Sequence, residues 1–332
     1  MKKKTALITG VAGMDGSHLA DLLLEKDYQV VGVMRRNATR DLGNAAHLER
    51  EPDVDLIEGD ITDMASMMRI IQAVRPHEIY NLAAMSHVHT SFEQPLATLD
   101  IDTKGVVNIL EAVLALGRRS RVFHASTSEM FGASPPPQTI ETVLQPQSPY
   151  AIAKVASHHF IRLYRKSYSM YACAGVTFNH EGPRRGPMFV TRKITLGVAQ
   201  ALKDPEFKLR LGNLDAERDW GYAPDFVRGF WMTLQEEHPD DYIFATGESH
   251  SVRELCEEAF GLAGLDWQEH VEIDRFFMRP AEVSALCGDY SLTEQKLGWT
   301  PKVKFKDLVR IMVEHDCELL GVADRLPKET EE

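Results

Sequence analysis

The chain has 332 residues, of which 26% are charged, and a net charge of −12. That balance argues against nucleic acid as a general partner, and no apolar run approaches the roughly 18 residues of a membrane span. Cys173, Cys256, Cys287 and Cys317 form no CxxC pair, so neither a zinc site nor a disulfide framework is indicated, and reduced thiols in a cytosol are expected.

The opening, MKKKTALITGVAGMDG, is basic, but its apolar run breaks at Gly10 and soon meets Asp15. That is too short for a signal-peptide core. TALITG reads as a strand. SHLADLLLEK sets Leu19, Leu22, Leu23 and Leu24 on or near one helical stripe. QVVGVM, DVDLIEGD, EIYNLAA, SRVFHAS and YACAGVTFNH read as strands two to six. MASMMRIIQAVR, TKGVVNILEAVLALG and SPYAIAKVASHHFIRLYRKSY read as helices. The alternation predicts an α/β fold, a Rossmann-type doubly wound parallel sheet covered on both faces. After about residue 179 proline, glycine and charge become denser, with helices expected at 191–203, 224–237, 251–263 and 306–320. The chain therefore divides into 1–178, binding a dinucleotide, and 179–332, a smaller α/β domain mainly for substrate, with strands exchanged between them.

GVAGMDG spaces Gly10, Gly13 and Gly16 around Met14 and Asp15, between a predicted strand and a predicted helix. Small residues there let the backbone approach a pyrophosphate, and the helix N-terminus offers free N–H groups. The second strand ends VMRRN. Arg35 and Arg36 stand where an NAD site carries an acid, and guanidinium groups suit a 2′-phosphate, so NADP is the expected cofactor. Asp60 ends the third strand, where it either accepts from the adenine amino group or caps the next turn. Ile61 beside it, and Leu82, Ala83 and Ala84 after the fourth strand, are expected along the cofactor.

SPYAIAK holds Tyr150 and Lys154 four apart, on one helical face. By spacing alone the better reading is a surface tyrosine and lysine. A free tyrosine ionises near about pH 10, so acting as a base at neutrality takes about 4 kcal/mol of charge stabilisation. A neighbouring ammonium and a cationic nicotinamide both work in that direction. ASTSEMFG (125–132) adds a puzzle, because Glu129 follows an apolar strand and a lone buried carboxylate is costly.

Glycine loop, NLAA at 81–84, STS and YxxxK, in that order, resemble the extended short-chain dehydrogenase/reductase family. The resemblance implies catalytic roles for Thr127, Tyr150 and Lys154. Thr-x-Glu resembles the sugar-nucleotide 4,6-dehydratase branch, in which Glu129 matches a second acid/base that takes the C5 proton once C4 has become a ketone. The bland alternative is a carboxylate that caps the following turn. KSYSMYACAGVTFNHEGPRRG, FVTRKI, LGNLDAERDWGYAPDFV, ATGESHSVREL and RPAEV resemble the GDP-mannose 4,6-dehydratases. The resemblance implies a GDP-sugar held by Ser86, Asn179, Arg185, Val190, Lys193, Arg218, Arg279 and Glu282. It also implies that RRNATRD reaches a neighbouring subunit's cofactor and that helices at 101–117 and 150–167 pair across subunits, giving a homotetramer or homodimer. Met14, Met85 and Gly182 depart from the usual Gln, Gln and Ser. If Met85 lines the sugar pocket, hydroxyl recognition changes there, which leaves room for a related GDP-sugar such as a GDP-heptose. A reductase or epimerase of the same fold, with Glu129 a bystander, is the other alternative.

Overall fold

A computed structural model describes residues 3–39, 41–278 and 281–327. Short, apolar, β-branched runs become strands, most of them buried on both faces. They are β1 (Thr5–Thr9), β2 (Gln29–Met34), β3 (Val54–Glu58), β4 (Glu78–Asn81), β5 (Arg121–Thr127) and β6 (Ala172–Thr177). Amphipathic segments between them become α1 (Met14–Glu25), α2 (Met64–Val74), the short α3 (Val88–Glu93) and α4 (Pro95–Leu99), α5 (Gly105–Ala115) and α6 (Pro149–Tyr168). A single π-type turn, Asp100–Lys104, joins α4 to α5. The helix read as starting near residue 101 thus begins at Pro95, which suits the first helical position because its missing N–H has no partner to lose.

The C-terminal half supplies β7 (Asn179–Glu181), α7 (Val190–Lys203), β8 (Leu209–Leu211), β9 (Glu217–Arg218), β10 (Trp220–Tyr222), α8 (Ala223–Thr233), β11 (Asp241–Phe244), β12 (His250–Ser251), α9 (Val252–Leu262), α10 (Trp267–His270), β13 (Val271–Ile273), α11 (Ser291–Leu297) and α12 (Phe305–Leu319). The main sheet has seven parallel strands in the order β11-β6-β5-β4-β1-β2-β3. Its seventh strand, β11, comes from beyond residue 179 and pairs Asp241–Phe244 with Ala174–Thr177. Strand order turns about β1, which lies between β2 and β4. In open parallel sheets that reversal opens a crevice at the carboxyl ends of the strands.

Over the crevice sits a second core, in which Ile194 and Val198 of α7, Leu255 and Phe260 of α9, and Leu308 and Met312 of α12 pack together. An ion pair lies buried inside it. Asp316 takes Arg192 through both oxygens, at 2.8 and 2.6 Å, and also the Thr195 hydroxyl at 2.6 Å. Arg192 donates in addition to the carbonyls of Pro183 and Arg185, and so fixes the PRRG turn at the rim of the crevice.

Candidate active site

Where β1 ends, the chain turns at Gly10 with φ of 75°, a left-handed conformation that glycine adopts without strain. A Cβ at Gly10 would lie 2.8 Å from the Ala83 nitrogen, and one at Gly16 only 2.3 Å from the Gly10 oxygen. β1, α1 and the end of β4 can meet this closely only through bare backbone. Gly13 is the N-cap of α1 and provides no side-chain cap, so first-turn N–H groups are left for a phosphate. Met14 is buried, and its carbonyl accepts from Ser17 at 2.9 Å. Arg35 and Arg36 are exposed at the end of β2, with Arg36 4.0 Å from Glu58. The cradle fits a nicotinamide dinucleotide.

Two of the expected cofactor residues also have contacts within the protein. Asp60 Oδ1 accepts from both the N–H and the hydroxyl of Thr62, each at 2.8 Å, which makes it the cap of its own turn. The Ile61 side chain is in the core against Gly105, where a Cβ would meet it at 2.6 Å. Ala83 presents its N–H to the Thr9 hydroxyl at 3.4 Å, while Leu82 and Ala84 line the cavity described next.

A cavity of about 480 Å³ opens beside this loop and brings together Thr127, Glu129, Tyr150 and Lys154. Thr127 ends β5, and its hydroxyl accepts the Glu129 N–H at 3.3 Å. The threonine, not the glutamate, therefore caps the turn at Ser128–Met130. The Glu129 side chain is buried and lines the cavity. Ser148 starts α6 by accepting from the Ala151 N–H at 3.1 Å, with Pro149 at the first position. Tyr150 and Lys154 follow one turn apart, and the Lys154 Nζ lies 5.9 Å from the phenol ring centroid. Lys154 also donates to the Ala125 carbonyl at 2.7 Å. Behind it runs a buried polar chain. Thr9 donates to Asn81 at 2.6 Å, Asn81 donates to His124 Nδ1 at 3.0 Å, and His124 Nε2 meets Ser157 at 3.1 Å. That chain fixes α6 against β5.

Sequence reasoning passed over Asp102. It lies in the π-type turn with no exposed surface, one oxygen accepting from the Met85 N–H at 2.8 Å. Burial raises its pKa, and the nearby Lys154 charge opposes the rise. Burial lowers the pKa of Lys154, with Asp102 opposing. A π-type turn inside a helix often marks a functional site, but no sequence signal distinguishes DIDTK from ordinary helix.

The electrostatics of Tyr150 differ from the expectation drawn from its lysine. Burial raises the phenol pKa, the charges of Asp102 and Glu129 add to the rise, and the hydrogen bond with Thr127 works against it. Lys154 is itself buried beside the phenol and donates to Ala125, so the cationic nicotinamide is the further charge needed to favour the phenolate. Met85 also differs from expectation. It is not among the residues that line the cavity, and its sulfur packs 3.2 Å from the Thr98 hydroxyl.

Ser86, Asn179, Arg185, Val190, Lys193, Arg218 and Glu282 all line the same cavity. Arg279 lies outside the described residues. Arg185 is held by Glu181 at 2.9 Å and stacks 3.7 Å from the Phe189 ring centroid. Arg218 donates to the carbonyls of Glu217 and Val283, both at 2.8 Å, and meets Glu282 at 3.2 Å. Lys193 lies 3.7 Å from the Phe277 ring centroid. Asn179 Oδ1 and Trp220 Nε1 are buried at the cavity without protein partners among the described residues. Trp220 also escaped the sequence reading, because a buried tryptophan ordinarily reads as core.

Residues 7–312 match the family described as GDP-mannose 4,6 dehydratase. GDP-mannose 4,6 dehydratase 1 of Arabidopsis thaliana is 46% identical over 327 residues, which covers 96% of this chain and 91% of that protein. The chain belongs to the GDP-mannose 4,6-dehydratase family. The Homo sapiens GDP-mannose 4,6 dehydratase is 42% identical, covering 96% of this chain and 92% of its own. Among solved structures, DesIV, a dTDP-glucose 4,6-dehydratase from Streptomyces venezuelae with NAD and TYD bound, superposes with a TM-score of 0.85 at 26% identity, covering 96% and 98% of the two chains. RMD from Pseudomonas aeruginosa, complexed with NADPH, shares the fold, with a TM-score of 0.78 at 21% identity over 96% and 100% of the two chains. For a member of the GDP-mannose 4,6-dehydratase family, the cradle and the cavity give the two halves of one site. No helix among the described residues is long and apolar enough to cross a membrane.

Proposed function

We propose that this protein dehydrates GDP-mannose to GDP-4-keto-6-deoxymannose, with NADP as its resident cofactor. One observation carries the reading: Glu129 is buried in the same cavity as Tyr150 and Lys154. A reductase or epimerase has no use for a second proton-handling group there. The related-sugar reading rested on Met85, whose side chain packs toward Thr98.

A dinucleotide held by the Gly10–Gly16 cradle would supply the acceptor for the C4 hydride and the donor of the C6 hydride. Tyr150 accepts the proton of the C4 hydroxyl, with Thr127 orienting its oxygen and Lys154 favouring its phenolate form. The new ketone acidifies C5–H, and Glu129 removes that proton. The C6 hydroxyl departs as water with a proton from the same carboxyl group, and the proton Tyr150 received from O4 balances the one C5 regains. The sugar ends with no net oxidation and one water fewer. Asn179 faces the diphosphate and ribose of GDP together with Arg185, Lys193 and Arg218, three local cations in a protein of net charge −12.

Arg35 and Arg36, solvent-exposed at the end of β2, support a 2′-phosphate and hence NADP over NAD. Leu96, Ile152, Leu163 and Tyr168 leave apolar surface on α4 and α6, which supports subunit pairing through these helices as a homodimer or homotetramer. Four free thiols support a cytosolic setting.

The test is incubation with GDP-mannose and no added reductant. A 4-keto-6-deoxy product with a bound cofactor identified as NADP is expected; folded, loaded protein that leaves GDP-mannose unchanged sinks the reading. Glu129→Gln separates dehydratase from reductase. It should abolish product while a reduced-nicotinamide signal still develops, because C4 oxidation does not need the carboxylate.

A further inference from the structure

Asp15 poses an electrostatic problem. It stands in the first turn of α1, in a loop whose free N–H groups suit a phosphate anion. A bare carboxylate there would repel the diphosphate it faces. Its Oδ2 lies 2.9 Å from His180 Nε2, and His180 Nδ1 lies 2.8 Å from the Phe178 carbonyl. Burial works against the Asp15 charge, but His180 and Arg185 outweigh it and favour the carboxylate; with Asp15 ionised both ring nitrogens face acceptors, so both donate and the ring is an imidazolium. It stacks on Phe226 with centroids 4.7 Å apart and planes 19° apart. The other charged or titratable groups around the pair are His18 on α1, Glu181 at the end of β7 and Arg185 beyond it. Asp15 Oδ1 is buried and has no partner among the described residues.

The geometry points to His180 as a positioning residue for the cofactor: its imidazolium neutralises the acid of the diphosphate loop and ties that loop to β7, the strand that carries Asn179 to the sugar-nucleotide end of the cavity. This rests on the dehydratase reading above. In that reaction the same hydride leaves C4 and returns to C6, so a cofactor lost midway strands the oxidised sugar. Retention between the two hydride steps is therefore part of the chemistry. Because the tie joins the two ends of the cavity, GDP bound at β7 slows release of the dinucleotide, and the linkage is reciprocal.

The test compares the dissociation rate of NADP from wild type, H180Q, D15N and D15N/H180Q, with and without saturating GDP, by quantifying the cofactor retained after timed gel filtration. H180Q is expected to release NADP at least about tenfold faster, since the carboxylate is then left unpaired against the diphosphate. The double variant is expected to recover most of the loss, and D15N alone to lose the slowing by GDP. Release from H180Q at the wild-type rate overturns the proposal. So does a double variant no better than H180Q, which would assign His180 to packing on Phe226 alone. If H180Q does not fold, D15N decides, because full GDP-dependent slowing without the carboxylate overturns the tie. None of these readouts needs turnover. A wild type that retains NADP but leaves GDP-mannose untouched counts against the dehydratase reading, not against this one.

Discussion

Lys154 donates to the main-chain carbonyl of Ala125 at 2.7 Å from a nearly fully buried position. One of its three N–H bonds is thereby spent on β5, and the ammonium is locked beside Tyr150. Because burial raises the phenol pKa, a fixed cation is needed to hold the phenolate once it forms. Lys154→Met should lower kcat by about 10²–10⁴-fold, the range for losing one partner in proton transfer. Lys154→Arg should fail nearly as badly, since a planar fork cannot replace a compact ammonium in the same space. Product formation followed by mass spectrometry, with cofactor content measured in parallel, checks both.

Met85→Gln restores the amide usual in the family but acts outside the cavity, where the present sulfur meets Thr98. KM for GDP-mannose should stay within about twofold, as expected for a change of similar size away from the ligand. A large change in KM, measured by initial rates, would return Met85 to the sugar pocket.

Arg192 and Asp316 form a buried pair that also anchors the PRRG turn. Asp316→Ala leaves a guanidinium unpaired in an apolar core and should cost about 3–5 kcal/mol. Replacing both partners with apolar residues, Arg192→Met with Asp316→Leu, should cost less. Urea denaturation of the single and double variants measures the difference. An Asp316→Ala midpoint equal to wild type would show that the pair is dispensable.

Acid should destabilise the fold through two histidines. Burial is the main cause that brings His18 and His158 down from 6.5 to about 4. Asp241, near His158, is already paired by Arg162 and Arg165. A depressed histidine pKa means that the unfolded chain takes up the proton first. The stability of the neutral rings is therefore complete above about pH 6.5 and is lost as pH falls toward 4, by up to about 3 kcal/mol each. Denaturation midpoints recorded across that window should fall, and His158→Gln should flatten the fall. An unchanged slope in the variant would remove His158 from the account.

Much of the site was legible because its chemistry is local in sequence. The glycine loop, TSE and YxxxK each sit at a strand end or helix start, and the parallel sheet brings strand ends to one side. The cation positions of the second half, Arg185, Lys193 and Arg218, came from the resemblance and do line the cavity. What stayed hidden depends on distant partners. Asp102 acquires meaning only because a π-type turn places it beside Lys154, and His180 only because β7 brings it to Asp15. Spacing told of the proximity of Tyr150 and Lys154 but not of their burial, which raises the phenol pKa. Asp60 and Ile61 were assigned by position in a pattern, which could not tell that Asp60 also caps Thr62 or that the Ile61 side chain enters the core.

The seventh strand has a consequence for how the chain is made. A ribosome that has released only the first 178 residues holds a sheet whose β6 edge lacks its neighbour, because β11 is still to be synthesised. Unpaired edges of apolar strands invite pairing with other chains. The nascent polypeptide is therefore most vulnerable to aggregation late in translation, and shielding by a chaperone would matter most just before Asp241–Phe244 emerges and seals the edge.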